Sequence, residues 1–144
     1  MLLSFDRSQL NKALIEDSAP WDLLTTNQRH IVLGNPVGIS ILDMSSKQQK
    51  MFIDLIKWYF DTTSKKISGY LLRNIEEFRH GSIHFAWAGG LHFGMPHYYC
   101  IQGGDMLIEY DCVQDDANHI HSVVRDEKRD FGNDILMGHR LVMH

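Results

Sequence analysis

The stretch His97-Tyr98-Tyr99-Cys100-Ile101-Gln102-Gly103-Gly104-Asp105-Met106-Leu107-Ile108-Glu109-Tyr110-Asp111-Cys112-Val113 decides the fold. Two runs rich in aromatic and β-branched residues flank a Gly-Gly pair, and both glycines can adopt positive φ, so the segment reads as a β-hairpin. With Gly103 and Gly104 as the turn, Tyr98 faces Glu109, Tyr99 faces Ile108 and Cys100 faces Leu107. One face then carries Tyr99, Ile101, Met106, Ile108 and Tyr110 and is apolar, so it packs on helices. The other carries Tyr98, Cys100, Leu107, Glu109 and Asp111 and is amphipathic. Cys100 and Cys112 fall on opposite faces, which favours two free thiols over a disulfide.

Outward from the hairpin, Ile83, Phe85 and Trp87 alternate with His84, Ala86 and Ala88 until Gly89-Gly90 interrupts them, giving a preceding strand. After the polar loop Gln114 to Asn118, His119 to Arg125 gives a fourth. Its His119, His121, Val123 and Arg125 share one face. The N-terminal half has the helical period instead. Ser8 to Asp17 reads as a short helix, and Ser46 to Thr62 as a longer one with capping-box spacing at Ser46 and Gln49. A third helix is expected from Gly69 or Tyr70 to Phe78, and a last one from Asp134 to Leu141. Trp21 to Gly38 is irregular. Helices, then strands, then one helix predict an α+β fold, a small antiparallel sheet of about four strands packed against helices, within a single domain, 1–144.

Composition agrees with such a fold. The chain has 144 residues, of which 44% are hydrophobic and 22% charged. That is enough for a core and too apolar for a disordered chain. A net charge of −4 speaks against a nucleic-acid partner. No run is long enough for a membrane span and no secretory signal opens the chain, so a cytoplasmic location is expected. Phosphate-binding glycine loops, the nucleophile elbow and the zincin motif are all missing.

The chemistry lies in the polar sheet face. His119-x-His121 on a strand directs both imidazoles the same way, roughly 6–7 Å apart at Cα. A carboxylate from the neighbouring strand completes a two-His-one-carboxylate set of the kind that holds zinc or iron. Glu109 is the first candidate and Asp111 the spare. On this reading Arg125 holds a small anionic substrate and Tyr98 or His139 acts as acid or base. The competing reading makes the same face a hydrogen-bonded structural network or a partner surface.

The string Phe85 to Gly90, Pro96 to Tyr99, Ile101-Gln102-Gly103, Leu107 to Asp111, Asp116 to Val123, Arg125-Asp126, Asp130-Phe131-Gly132, Asp134 and His139 resembles the C-terminal part of a bacterial family catalogued as domain of unknown function 3500. The likeness runs over about residues 36–142. Onto its polar pattern fall His97, Tyr98, Tyr99, Glu109, Asp111, Asn118, His119, His121, Arg125, Asp130, Asp134 and His139. The longer relatives carry a further segment with a His-His pair that is lacking here. The resemblance therefore implies either a short member or a domain completed by a partner, a second copy included, that supplies an N-terminal half.

Overall fold

The computed structural model describes residues 1–61, 83–128 and 130. Over these the chain forms two α-helices and a six-stranded mixed sheet. Helix α1 spans Arg7–Ala13 and α2 spans Ser46–Asp61. The strands are β1 Leu14–Glu16, β2 Ile39–Ser40, β3 Ile83–Gly89, β4 His97–Gly103, β5 Met106–Gln114 and β6 His119–Asp126. Their order is β1-β3-β4-β5-β6, with β2 also paired to β3. The α+β expectation holds, with two more strands than the four expected. The helices expected at 69–78 and 134–141, and His139 with them, lie outside the described residues.

Both helices start on reciprocal caps. Asp6 accepts from Gln9 N while the Gln9 side chain accepts from Asp6 N. At α2 the partners are Ser45 and Gln48, one residue before the Ser46 and Gln49 read from the sequence. The first helix is shorter than expected because Leu14 turns extended and joins the sheet, β1 running parallel to β3.

The β4–β5 turn sits at Gly104–Asp105, with Gly104 at φ +57°. Gly103 instead ends β4, where a Cβ would lie 2.9 Å from Ile83 Cβ. Close packing on β3 thus uses one glycine and the turn the other. The pairing becomes Tyr98 opposite Asp111 and Cys100 opposite Glu109, two residues from the expected register. An even slip leaves every side chain on its expected face.

Each face buries its own core. On one, Phe52, Ile56, Tyr59 and Phe60 of α2 meet Ile83, Phe85, Ile101, Met106 and Ile108. On the other, Ile31 packs with Ala86, Ala88, Tyr98, Cys100 and Leu107, and Ala19 and Leu33 add to it. No helix covers this second face among the described residues. An irregular strap, residues 17–38, crosses it instead. Both cysteines are buried and free.

Phe52 is fully buried and meets the Phe85 ring edge-on, centroids 6.0 Å apart. Phe52→Ala is expected to lower unfolding free energy by about 3–5 kcal/mol. Leu42→Ala, at a largely exposed position, should change it by less than about 0.5 kcal/mol. Urea denaturation of the two variants checks the difference.

Candidate functional site

Alternation along β5 places Leu107, Glu109 and Asp111 beneath the strap. Across from them on β6 stand Arg125, Val123 and His121, in the pairs Leu107–Arg125, Glu109–Val123 and Asp111–His121. Glu109 and Asp111 are fully buried and Arg125 nearly so. Burial of such groups requires partners, and the three solve the problem differently.

Glu109 is fully satisfied. It accepts from Leu24 N at 2.8 Å, Thr25 N at 3.2 Å, the Thr25 hydroxyl, and Tyr98 Oη at 2.9 Å. Arg125 donates to Asp130 and, at 2.7 Å, to the Gln28 carbonyl. Gln102 donates to Gly34 O at 2.7 Å, and Glu127 accepts from Leu33 N at 2.8 Å. Four side chains of the sheet region therefore tie down the strap. The Tyr98 hydroxyl is pushed far above the ordinary tyrosine range, first by burial and then by the Cys100 and Glu109 beside it, so it stays a neutral donor. Burial pushes the Cys100 thiol up to about 11, and it stays protonated. Beneath the strap a cavity of about 200 Å³ opens against Thr25, Gln28, Tyr98, Cys100, Gln102 and Glu109.

Asp111 is the exception. Neither of its carboxylate oxygens has a hydrogen-bond partner, nor does Nδ1 of His121 opposite. The anchored strap brings a second carboxylate to this point. Asp22 Oδ1 and Asp111 Oδ2 each lie 3.3 Å from His121 Nδ1, within ion-pair reach but outside hydrogen-bond alignment. Asp22, Asp111 and His121 offer ligand atoms all within 4.8 Å of one another, a grouping that sequence reading had missed because Asp22 comes from the irregular strap. The Asp22 and His121 side chains are 26% and 34% exposed, so one side of the cluster meets solvent.

The other nitrogen of His121 is held too. His119 Nε2 lies 2.9 Å from His121 Nε2, and His119 Nδ1 lies 3.7 Å from Asp115 Oδ2. The turn that seats them is unusual, since Asp115, Asp116 and Ala117 all have φ between +50° and +60°. Successive non-glycine residues in that region are strained. A bulge between Cys112 and Gln114 accompanies it. Either ring can donate across the Nε2–Nε2 contact, and where His121 is the donor its Nδ1 faces the two aspartates with a bare lone pair.

The expected His119, His121 and Glu109 are thus on one face, but they do not share one target. The two histidines meet each other through Nε2, while Glu109 serves the strap and Tyr98. Arg125 spends donors on Asp130 and the strap. His84 stands on β3 opposite Gln102, with a buried, unpartnered Nδ1.

A family model described as a protein of unknown function (DUF3500) matches residues 1–133. The chain belongs to this family. The match begins at residue 1, so it takes in the strap and Asp22 as well as the sheet, and it extends the likeness that began near residue 36. No curated protein and no solved structure matches the chain.

Burial raises the Asp111 pKa above 3.8, with Asp22 adding to the rise and His121 opposing it. The folded form therefore binds more protons than the unfolded form above pH 3.8, so the Asp111 contribution to metal-free stability falls as pH rises through that interval. Asp111→Asn is expected to flatten this decline and leave the metal-free protein at least as stable at neutral pH. Thermal melts of both proteins from pH 4 to 8 in chelator test it. Glu109→Ala should instead loosen the strap, with faster amide exchange at Leu24 and Thr25 and a loss of about 2–4 kcal/mol.

Proposed function

We propose that this DUF3500 member is a metal-dependent enzyme of hydrolytic type, holding one divalent transition metal, zinc or iron, through Asp22, Asp111 and His121. One observation carries the reading: three buried or half-buried ligand groups converge, and neither Asp111 nor His121 Nδ1 has a hydrogen-bond partner, while Asp22 Oδ1 accepts from Leu23 N at 2.7 Å. Two ligands of a tetrahedral ion bound at about 2.0–2.1 Å stand roughly 3.3–3.4 Å apart. That is the separation of His121 Nδ1 from each aspartate oxygen, 3.3 Å. A metal would relieve the buried charge of Asp111, which no hydrogen bond does. His119 would hold the second nitrogen of His121, the place that a carboxylate, carbonyl or water more often takes around a metal-bound imidazole.

The ligand set also narrows the chemistry. Oxygenases of the non-haem iron class use two histidines and one carboxylate, whereas two carboxylates and one histidine favour Lewis-acid work. The solvent-facing side of the cluster leaves room for a water, as catalytic sites require and closed structural sites do not.

Titration with zinc and ferrous ions should give one bound ion per chain and, near a hundredfold excess over Kd, a rise in Tm of about 6–10 °C. Asp111→Asn and His121→Ala should abolish both, and His119→Ala should weaken binding by about 10- to 100-fold. Hydrolysis of activated esters or phosphodiesters that stops on chelation and in Asp111→Asn would separate catalysis from a structural ion. A chain that binds neither ion, with Tm unmoved, would leave the cluster as a structural network and end the proposal.

A further inference from the structure

The opposite face of the sheet carries a second feature, independent of the metal reading. Trp87, His97, Tyr99 and Tyr110, from three adjacent strands, form a closed group of four nearly parallel rings. Their centroids lie 4.8–6.1 Å apart and their planes within 4–20° of one another. Helix α2 reaches this group through Tyr59, whose hydroxyl bonds that of Tyr99. Beyond that contact the rings, still partly exposed, border a cavity of about 480 Å³. This is the size range of small-molecule sites.

We propose that this cavity binds a small, uncharged, planar ring compound carrying a hydrogen-bond donor. Among the described residues the lining contains no Asp, Glu, Lys or Arg, so a charged ligand would lose its hydration without compensation from them. Parallel rings favour a planar guest, which gains from offset stacking and edge contacts beyond its buried area. His97 donates its Nδ1 proton to the Met95 carbonyl, 2.8 Å away, so its other nitrogen is left as an acceptor. The β3–β4 loop completes the rim. It is braced by Gly90 N to Pro96 O at 2.9 Å, and a Cβ at Gly90 would lie 2.2 Å from Met95 Cβ. That tight loop holds Phe93 fully in solvent at the cavity mouth. A guest in the cavity would cover part of this otherwise exposed ring.

The test uses the intact chain with prodan, a neutral naphthalene fluorophore, and with 2-naphthol as a donor-bearing competitor. The chain has three tryptophans. Trp21 and Trp58 are exposed, so Trp21→Phe/Trp58→Phe leaves Trp87 as the reporter without disturbing the core. Saturable one-to-one binding is expected, with Trp87 quenched and prodan displaced by 2-naphthol. Leu91→Trp, which fills the cavity, and Phe93→Ser, at an exposed rim position, should each weaken binding about tenfold or more. His121→Ala should leave it unchanged, which separates this site from the metal cluster. Non-saturable uptake, or equal affinity in wild type, Leu91→Trp and Phe93→Ser, would overturn the proposal. So would a dimer that quenches Trp87 and is not dissociated by the competitor, since the occupant would then be a second copy.

Discussion

The carboxylate of Glu109 organises the polar half of this molecule. It is buried in the middle of the sheet and cannot be left bare, and the donors that satisfy it come mainly from a segment with no regular structure of its own. Strap residues 17–38 have few backbone partners to offer each other, and ordering each costs about 1–2 kcal/mol. A charged acceptor is a strong recruiter because hydrogen bonds to it are worth more than those between neutral groups. Arg125, Gln102 and Glu127 repeat the device along the strap, and Ile31, Ala19 and Leu33 bury apolar area beneath it. The strap replaces the helix layer that covers the other face, and its fixed path is what delivers Asp22.

How much of this was legible in the sequence follows from the range of the forces involved. Strand periodicity is local, so the division of β4, β5 and β6 into an apolar and a polar face could be read directly. It survived a wrong turn position because the slip was even. The glycine pair misled because a packing demand from Ile83, far away in sequence, claimed Gly103. Similarly, Ser45 rather than Ser46 caps α2, a difference that only the hydrogen bonds reveal.

The ligand set was less accessible. His119 and His121 do converge, as an H-x-H on a strand suggests, but they converge on each other. Glu109, the first candidate among the carboxylates of the neighbouring strand, is engaged instead with the strap. Asp111 stands directly opposite His121 because of the β5–β6 register, which no local pattern specified. Asp22 lies in a stretch without periodicity, beside Pro20 and Trp21, and its neighbours in space are set by contacts made elsewhere along the strap. Long-range satisfaction of buried charge, not propensity, assembles this corner.

Two departures from local consistency meet at that corner. On the same face Glu109, Gln102 and Arg125 are paired, yet Asp111 and His121 Nδ1 are not. Turns usually avoid positive φ outside glycine, yet Asp115, Asp116 and Ala117 adopt it in succession just before His119. Each costs on the order of 1–3 kcal/mol, and a fold under selection for stability alone would remove both. Their coincidence is informative because they are coupled. The strained turn seats His119, His119 engages Nε2 of His121, and Nδ1 of His121 faces the unpaired carboxylate. A structural network would be expected to close on itself, with His121 donating squarely to one aspartate. Here the gap falls at the contact between Asp111 and His121 Nδ1, beside the strained turn.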